Sequence, residues 1–270
     1  MGIQHQEAAA AAPPSGNGDT AVLELEDISK SFGPVRALEG VDFSLRAGEV
    51  VALVGDNGAG KSTLVKIISG IQSADSGRIL FDGRPVHIAR PTDAVALGIQ
   101  TVHQDLALCD NLDVVENLFL GREETAPRVG VVLRSLDETD MEHRAHDLLS
   151  NLAVTIPDVR AEVGTMSGGQ RQQVAIARSL LGEPRVVILD EPTAALGVRQ
   201  TAQVLELIKR LRERGQAVVV VSHNIPNVFE VADRIFVLWL GQRAGDFQAS
   251  ETTQEQVVAA ITGAELGSDR

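Results

Sequence analysis

The sequence predicts an α/β fold with a mixed or parallel β-sheet at its core, an antiparallel β-layer and an inserted helical subdomain. Apolar runs of strand length alternate with helical stretches, and strand–helix–strand units of this kind imply a parallel sheet covered by helices. A mainly helical stretch over residues 113–153 interrupts that alternation. We therefore expect a single domain over residues 21–262, with the helical subdomain at roughly 105–168, between a disordered tail at 1–20 and a second tail at 263–270.

The composition excludes several classes of protein. A chain of 270 residues, 44% of them hydrophobic, can build the core of one α/β domain. Its formal net charge of −13 argues against a nucleic-acid surface, which needs basic patches for phosphate contacts. The single cysteine, Cys109, excludes an internal disulfide framework and fits a reducing cytosol. No apolar run approaches the length of about 20 residues that spans a bilayer, so work at a membrane would need a partner that holds the chain there.

The N-terminal part of the chain predicts an antiparallel layer that leads into a buried strand. Residues 22–25 open an alternating strand, and residues 35–45 form its partner. Residues 50–54 are continuously apolar, which is typical of a buried strand. Residues 77–81 predict a further strand that ends in a turn at 82–83.

The helical subdomain is predicted from amphipathic spacing. Gly121 and residues 127–130 break the helical pattern. From residue 137 to residue 152, apolar residues recur along one helical face, namely Met141, Ala145, Leu148, Leu149 and Leu152. Beyond Gly169 the α/β alternation returns, with a helix, a strand, a helix and a strand predicted at 170–181, 185–189, 198–214 and 217–221.

Residues 55–63 fit the phosphate-binding pattern G-x-x-x-x-G-K-[ST] and lie between the strand at 50–54 and an apolar helical turn at 64–68. Glycines let such a loop turn its backbone N–H groups onto phosphate oxygens, and the following helix adds the positive end of its dipole. Lys61 can reach the β- and γ-phosphates, and the Ser62 hydroxyl can ligate Mg²⁺. We therefore predict a nucleoside-triphosphate site formed by Gly55, Asp56, Asn57, Gly58, Ala59, Gly60, Lys61, Ser62 and Thr63.

Two carboxylates follow a second buried strand. The apolar residues 186–189 lead directly into Asp190 and Glu191. In open parallel sheets, ligands bind at the carboxyl ends of strands, where these two acids are expected. Asp190 suits a ligand of Mg²⁺, directly or through water. Glu191 points elsewhere and could polarise the attacking water as a general base.

A third segment, which we call the signature segment, consists of Met166, Ser167, Gly168, Gly169 and Gln170. A serine hydroxyl and glycine N–H groups at a helix N-terminus form a second anion site. The segment, together with its position about twenty residues before Asp190, resembles the signature of ATP-binding-cassette (ABC) transporter ATPases, with Met166 in place of the usual leucine. The resemblance implies that the segment faces the γ-phosphate held by a partner subunit, so that two ATP molecules are enclosed in a head-to-tail dimer.

Three further residues match positions of that family. Phe32, in Ser31-Phe32-Gly33, lies where the family has an aromatic ring that stacks on adenine. Gln104 resembles the glutamine that contacts Mg²⁺ or water and leads into the helical subdomain. His223 follows a buried strand and resembles the switch histidine near the γ-phosphate.

One position departs from the general family pattern. Gly197 stands where the family has an aspartate, and a glycine cannot make that carboxylate's contacts across the dimer. The run Ala-Ala-Leu-Gly at 194–197 instead resembles the monosaccharide-importer branch of ribose, xylose and fructose type. Residues 104–113 and 117–122 resemble the same branch.

The resemblance covers residues 21 to about 248 and implies an ATP-hydrolysing subunit that energises a monosaccharide importer with ATP and Mg²⁺. Such a subunit forms a homodimer and docks on membrane permease subunits through the segment after Gln104 and the helical subdomain. It is then peripheral, at the cytoplasmic face of the inner or plasma membrane. An extracytoplasmic sugar-binding protein serves the same permease, and no nucleic-acid partner is implied.

Two alternatives stay open at this point. The chain could be an ABC ATPase for another substrate, such as amino acids or lipids. It could also be a soluble cassette protein for DNA repair, ribosome work or iron–sulfur assembly. The sequence weakens the last alternative, because coiled-coil arms, zinc-binding cysteines, a second cassette and a basic surface are all missing from it.

Overall fold

The computed structural model describes residues 21–127 and 134–264. The expected N-terminal tail, and the expected C-terminal tail apart from residues 263 and 264, lie outside the described residues.

The strands are β1 Ala21–Phe32, β2 Val35–Arg46, β3 Val50–Val54, β4 Ser76–Phe81, β5 Arg84–Val86, β6 Ile99–Val102, β7 Thr125–Pro127, β8 Arg134–Leu136, β9 Val186–Asp190, β10 Ala217–Val221, β11 Arg234–Trp239 and β12 Gln242–Gln248. The helices are α1 Lys61–Ile68, α2 Pro91–Ala96, α3 Val114–Phe119, α4 Glu138–Asn151, α5 Gly168–Leu180, α6 Val198–Glu213, α7 Ile225–Val231 and α8 Gln254–Thr262. A 3₁₀ turn, Val163–Thr165, precedes the signature segment.

The central sheet has six strands in the order β12-β11-β3-β10-β9-β6. All neighbours pair in parallel except β12, which runs antiparallel to β11 at one edge. Every residue of β3 and β10 is buried, so these strands consist of unbroken apolar runs instead of alternating ones. This confirms the predicted sheet core, and the predicted strands at 50–54 and 217–221 match β3 and β10 in both bounds.

The predicted antiparallel layer is a second sheet in the order β2-β1-β4-β5. β1 pairs antiparallel with both β2 and β4. The inner faces of this sheet, α1 and one face of the central sheet enclose a shared core that includes Leu23, Phe43, Leu53, Ile67 and Ile188. The layer therefore supports the strand–loop–helix unit of residues 50–68 from one side.

The expectation of a mainly helical stretch over residues 113–153 was incomplete. A short antiparallel hairpin, β7 with β8, lies between α3 and α4. Strands of three residues are too short to show a period in the sequence, which is why the break at Gly121 and 127–130 did not predict them. α4 itself buries Met141, Ala145 and Leu149, as the amphipathic pattern predicted, and half-buries Leu148.

Some helices and strands begin or end one or two residues away from the predicted positions. α5 begins at Gly168 and not at residue 170, because the side chain of Ser167 caps the helix. β9 is shifted by one residue, to Val186–Asp190.

No helix within residues 21–127 and 134–264 combines the length and the apolar character that crossing a membrane requires.

A buried arginine joins the two sheets. Arg234, at the start of β11, is only 5% exposed. Its Nε donates to Oε1 of Glu49 at 2.8 Å, and its Nη1 donates to Oδ2 of Asp246 at 2.8 Å. Its Nη2 donates to the backbone carbonyl of Ser44 on β2. The guanidinium thus binds the carboxylate of Glu49 just before β3, that of Asp246 on β12 and one carbonyl of the antiparallel layer.

We expect Arg234→Met to lower the free energy of unfolding by about 3 kcal/mol, because it removes the buried guanidinium that pairs with the carboxylates of Glu49 and Asp246. Denaturation by urea, followed by circular dichroism, measures the change. Arg243→Met is the matched control, since Arg243 is an exposed arginine on the adjacent strand β12 and should change stability by less than about 0.5 kcal/mol. Equal stability of the two variants would contradict the assigned role of Arg234.

Candidate active site

The predicted chemical groups gather at one edge of the central sheet. Residues 55–60 follow β3, Asp190 ends β9 and is followed by Glu191, and Ser222 and His223 follow β10. Because these strands are parallel, their carboxyl ends point to the same edge. Gln104 follows β6, which is parallel to β9 in the same sheet.

The phosphate-binding loop owes its shape to two glycines in the left-handed region. Gly60 has a φ of 106°, and a Cβ there would lie 2.6 Å from the carbonyl oxygen of Ala37. Gly55 has a φ of 152°, and a Cβ there would collide with the carbonyl oxygen of Leu238. No other residue type could adopt these conformations against the packed backbones of β2 and β11. Gly55 and Gly60 are therefore required by the fold as well as by any ligand.

The loop presents donors that suit phosphate oxygens. The backbone N–H groups of Gly58, Gly60, Lys61 and Ser62 donate to no acceptor among the residues that the structure describes. The last two open α1, so the positive end of the helix dipole lies behind them. The predicted triphosphate site fits this arrangement, because a phosphate chain supplies the acceptors that these groups lack.

Lys61 lies across the loop that precedes it. Its Nζ donates to the carbonyl oxygen of Gly55 at 2.7 Å and to that of Asp56 at 3.0 Å. Burial lowers the pKa of the Lys61 ammonium below its ordinary value, although the carboxylates of Glu191, Asp56 and Asp190 oppose that shift. The lysine is thus held at the phosphate-binding loop, where the negative charges of Asp190 and Glu191 act on it.

Asp190 and Glu191 differ in environment. Asp190 is half-buried, and this burial is the main reason why the pKa of its carboxyl group is raised; the negative charge of Glu191 raises it further. The charges of His103, Lys61 and Lys66 act in the opposite direction and lower the pKa. Glu191 has a backbone φ of 50°, which is uncommon for a residue other than glycine. Its backbone N–H donates to the carbonyl oxygen of Val221 at 2.9 Å, which fixes this conformation beside the end of β10.

Glu191 and His223 are in direct contact. Nδ1 of His223 lies 2.9 Å from Oε1 of Glu191, although the two residues are 32 positions apart in the sequence. The Glu191 side chain is 17% exposed and that of His223 is 74% exposed. The structure therefore brings together two of the three predicted catalytic residues. The third, Gln104, is exposed, and no hydrogen bond joins its side chain to the rest of the described residues.

The predicted metal ligands Ser62, Gln104 and Asp190 include a single carboxylate. Within the described part of the chain, no group of three or more His, Cys, Asp or Glu residues is arranged to hold a metal ion. A hydroxyl, an amide oxygen and a carboxylate are oxygen donors of the kind that Mg²⁺ prefers, and Mg²⁺ in nucleotide sites takes its other ligands from phosphate and water. The donor set suits Mg²⁺ that arrives with a nucleotide.

Phe32 ends β1 and carries an accessible ring. The side chain is 44% exposed, and Nζ of Lys30 lies 5.7 Å from the ring centroid. An exposed aromatic face at the tip of the β1–β2 hairpin is free to stack on a planar ligand.

The signature segment caps α5. The backbone N–H of Gln170 donates to Oγ of Ser167 at 3.3 Å, and the N–H of Ser167 donates to Oε1 of Gln170 at 3.0 Å. This reciprocal pair is a capping box, which satisfies two backbone donors at the start of the helix. Ser167 and Gln170 line a cleft of about 610 Å³, and no residue of the phosphate-binding loop contributes to its lining.

Sequence reasoning missed the anchoring of the loop after Gln104. The buried side chain of Asn117 on α3 accepts from the backbone N–H of Cys109 at 2.8 Å and donates to the carbonyl oxygen of Cys109 at 3.0 Å. Arg171 and Arg178 of α5 bind the same loop, at Oδ1 of Asp110 and at the carbonyl oxygen of Ala107. A single amide within the apolar run of α3 was the available signal, because a buried polar side chain needs local partners.

We expect Asn117→Ala to loosen residues 105–113, because it leaves the buried N–H of Cys109 without an acceptor, at a loss of about 1–3 kcal/mol. Hydrogen exchange of the peptides that span this loop measures the effect as faster exchange. Asn111→Ala is the control, since Asn111 is an exposed asparagine of the same loop. Unchanged exchange in the Asn117 variant would refute the anchoring role.

Comparisons with known proteins agree on one family. A family model described as "ABC transporter" matches residues 38–194. The chain is 46% identical to the fructose import ATP-binding protein FrcA of Rhizobium meliloti, over 90% of this chain and 94% of that one. It is 44% identical to the xylose/arabinose import ATP-binding protein XylG of Sulfolobus acidocaldarius, over 91% of this chain and 96% of that one. It is also 46% identical to the ribose import ATP-binding protein RbsA of Chromobacterium violaceum, of which it spans 48%.

Solved structures share the fold. The chain resembles the ADP conformation of MJ1267, an ATP-binding cassette of an ABC transporter, with a TM-score of 0.76, 26% identity and coverage of 91% of this chain and 96% of that one. It resembles the cassette MJ0796, solved as a dimer in a post-hydrolysis state bound to ADP and Pi, with a TM-score of 0.70, 26% identity and coverage of 84% and 98%.

Proposed function

Because this chain belongs to the ABC transporter family, we propose that it is the ATP-hydrolysing subunit that energises a monosaccharide importer. The observation that carries the chemistry is the contact of Glu191 with His223 at the sheet edge that also holds the phosphate-binding loop. The sugar class is supported by relatives that are named as fructose, xylose/arabinose and ribose import proteins. Those names favour this function over a cassette for another substrate class or a soluble non-transport cassette.

ATP would bind along the carboxyl edge of the central sheet. The N–H groups of Gly58, Gly60, Lys61 and Ser62 and the Lys61 ammonium hold the phosphates, and the ring of Phe32 stacks on adenine. Gly55, Asp56, Asn57 and Thr63 complete the loop around them. Ser62, Gln104 and Asp190 would hold Mg²⁺, which neutralises phosphate charge when it is bound. Half-burial of Asp190 strengthens its attraction for a cation, since a partly desolvated carboxylate is a stronger electrostatic partner.

Hydrolysis would use Glu191 as general base. Its carboxylate accepts a proton from water as the water oxygen attacks the γ-phosphorus, and the bond from that phosphorus to the bridging oxygen of ADP breaks. His223 holds the carboxylate through the 2.9 Å contact and lies exposed, where it can reach the γ-phosphate. The strained backbone of Glu191, tied to Val221, supports this role, because such conformations concentrate at functional sites.

The second half of each site would come from another copy of the chain. Ser167, Gly168, Gly169 and Gln170 would contact the γ-phosphate held by the partner's loop. The separate cleft beside the signature segment supports this arrangement, since it excludes the chain's own phosphate-binding loop. The dimer of the related cassette MJ0796 supports it as well. ATP binding would close the homodimer and hydrolysis would reopen it.

The closing movement would act on membrane permease subunits. We place their contact on the helical subdomain, at roughly 105–168 of the single domain 21–262, and on the segment after Gln104. The protein would then lie at the cytoplasmic face of the membrane as a peripheral subunit. An extracytoplasmic sugar-binding protein would deliver substrate to the permease and would have no direct contact with this chain.

Glu191→Gln should keep ATP binding but lower the hydrolysis rate by about 100-fold or more, because an amide cannot accept the proton of water. The variant should also accumulate as an ATP-bound dimer. Phosphate release and analytical ultracentrifugation measure the two effects. Lys61→Ala is the contrasting variant, since it should weaken nucleotide binding itself. Normal turnover in Glu191→Gln would remove the general-base assignment.

Sugar import is tested in cells. Uptake of labelled fructose, xylose, arabinose and ribose should fall in a strain that lacks this protein and recover when the wild-type protein is restored, but not when Glu191→Gln is supplied. Labelled amino acids serve as the comparison set. A strain that loses amino-acid uptake and keeps sugar uptake would favour the alternative substrate class.

A further inference from the structure

We propose that Gln200 is a positioning residue that joins the signature segment to the loop after Glu191, and that the ATP-dependent pairing of two chains depends on this link. The inference rests on the proposed function, because it concerns the same shared site.

The first contact of Gln200 is with Gly197. Gln200 lies in the first turn of α6, and its Oε1 accepts from the backbone N–H of Gly197 at 3.0 Å. Gly197 has no side chain with which to cap the helix, so this is the side-chain contact that fixes the start of α6. A side chain at the third helical position that reaches back in this way is one half of a capping box. Gln200 therefore sets the conformation of the loop that leads from Glu191 into α6.

The second contact of Gln200 is with Gly169 of the signature segment. A Cβ built on Gly169 would lie 2.8 Å from both Cβ and Cγ of Gln200, closer than carbon atoms approach. The aliphatic part of Gln200 thus occupies the space above the Cα atom of Gly169, which is buried. The neighbouring Gly168 is exposed and less tightly packed, since its Cβ would lie at an ordinary contact distance of 3.4 Å from Cδ2 of Leu196. The signature segment and the loop before α6 are therefore packed as one surface.

This surface borders the cleft that the proposed function assigns to a second copy. Ser167, Gln170, Gly197 and Gln200 all line the cleft of about 610 Å³. Val198, the first residue of α6, is 89% exposed beside it. Gly197 contributes no side chain to this surface. A side chain at 200 can therefore hold the two segments together where a side chain at 197 cannot.

The test replaces Gln200 in the full-length chain. Gln200→Met keeps an unbranched side chain of similar length against Gly169 but cannot accept the N–H of Gly197. Gln200→Glu keeps the acceptor, since glutamate is as suitable as glutamine at this helical position. Gln203→Met is the matched control, because Gln203 is an exposed glutamine that lines the same cleft one turn later. Each is combined with Glu191→Gln, and the ATP-induced dimer is measured by analytical ultracentrifugation.

We expect Gln200→Met to raise the dimer dissociation constant about tenfold, because both shared sites lose the equivalent of a helix cap. Binding of a fluorescent ATP analogue to the monomer should not change, since Gln200 contacts the signature segment and Gly197, not the phosphate-binding loop. Gln200→Glu should restore the dimer, and Gln203→Met should behave as the parent protein. A role in general stability would instead lower the melting temperature of Gln200→Met and weaken binding of the ATP analogue to the monomer as well.

The inference is overturned if Gln200→Met dimerises as well as the parent, if Gln203→Met is equally defective, or if Gln200→Glu fails to rescue. These outcomes are distinct from failure of the proposed function. If the wild-type chain does not hydrolyse ATP and the Glu191→Gln variant forms no dimer in ATP, the proposed function fails. If the wild-type chain hydrolyses ATP and the Glu191→Gln variant dimerises, but Gln200→Met has no effect on the dimer, this inference alone fails.

Discussion

Parallel pairing in the central sheet is the constraint on which the candidate site depends. Adjacent strands lie about 4.8 Å apart, so the residues that follow β9 and β10 are neighbours whatever their separation in the sequence. This is how Glu191 reaches His223, which lies 32 positions later in the sequence, and how its backbone N–H reaches Val221. The left-handed conformation of Glu191 has no local cause in the sequence and persists because the two strands hold it.

A second constraint ties the helical subdomain to the signature segment. Arg171 and Arg178 lie on α5, and both bind the loop that follows Gln104. Asn117 closes that loop from the side of α3. A rotation of α5 would therefore carry residues 105–113 with it. In the proposed function, this loop faces the permease, so the fold offers a short path from the partner's γ-phosphate to the membrane subunit.

The parts of the structure that sequence predicted well are those with strong local signals. β3 and β10 were predicted in both bounds because they are unbroken apolar runs between turn residues. The hairpin of β7 with β8 has only three residues in each strand and left no period to detect. β6 has two buried residues out of four, which is too weak a pattern to predict a strand. The apolar run before Asp190 pointed to Glu191, and the family resemblance implied His223, but their contact depends on strand order, which no local pattern encodes.

The bonds of Lys61 to its own loop have a consequence for ligand association. The ammonium spans two carbonyl oxygens and closes residues 55–61 into a hydrogen-bonded ring. Most of the conformational entropy of this segment is therefore lost when the protein folds and not when a ligand arrives. An incoming phosphate chain meets a preorganised receptor and exchanges one set of lysine hydrogen bonds for another. In the proposed function, the cost of ordering this segment is then part of folding and does not weaken nucleotide binding.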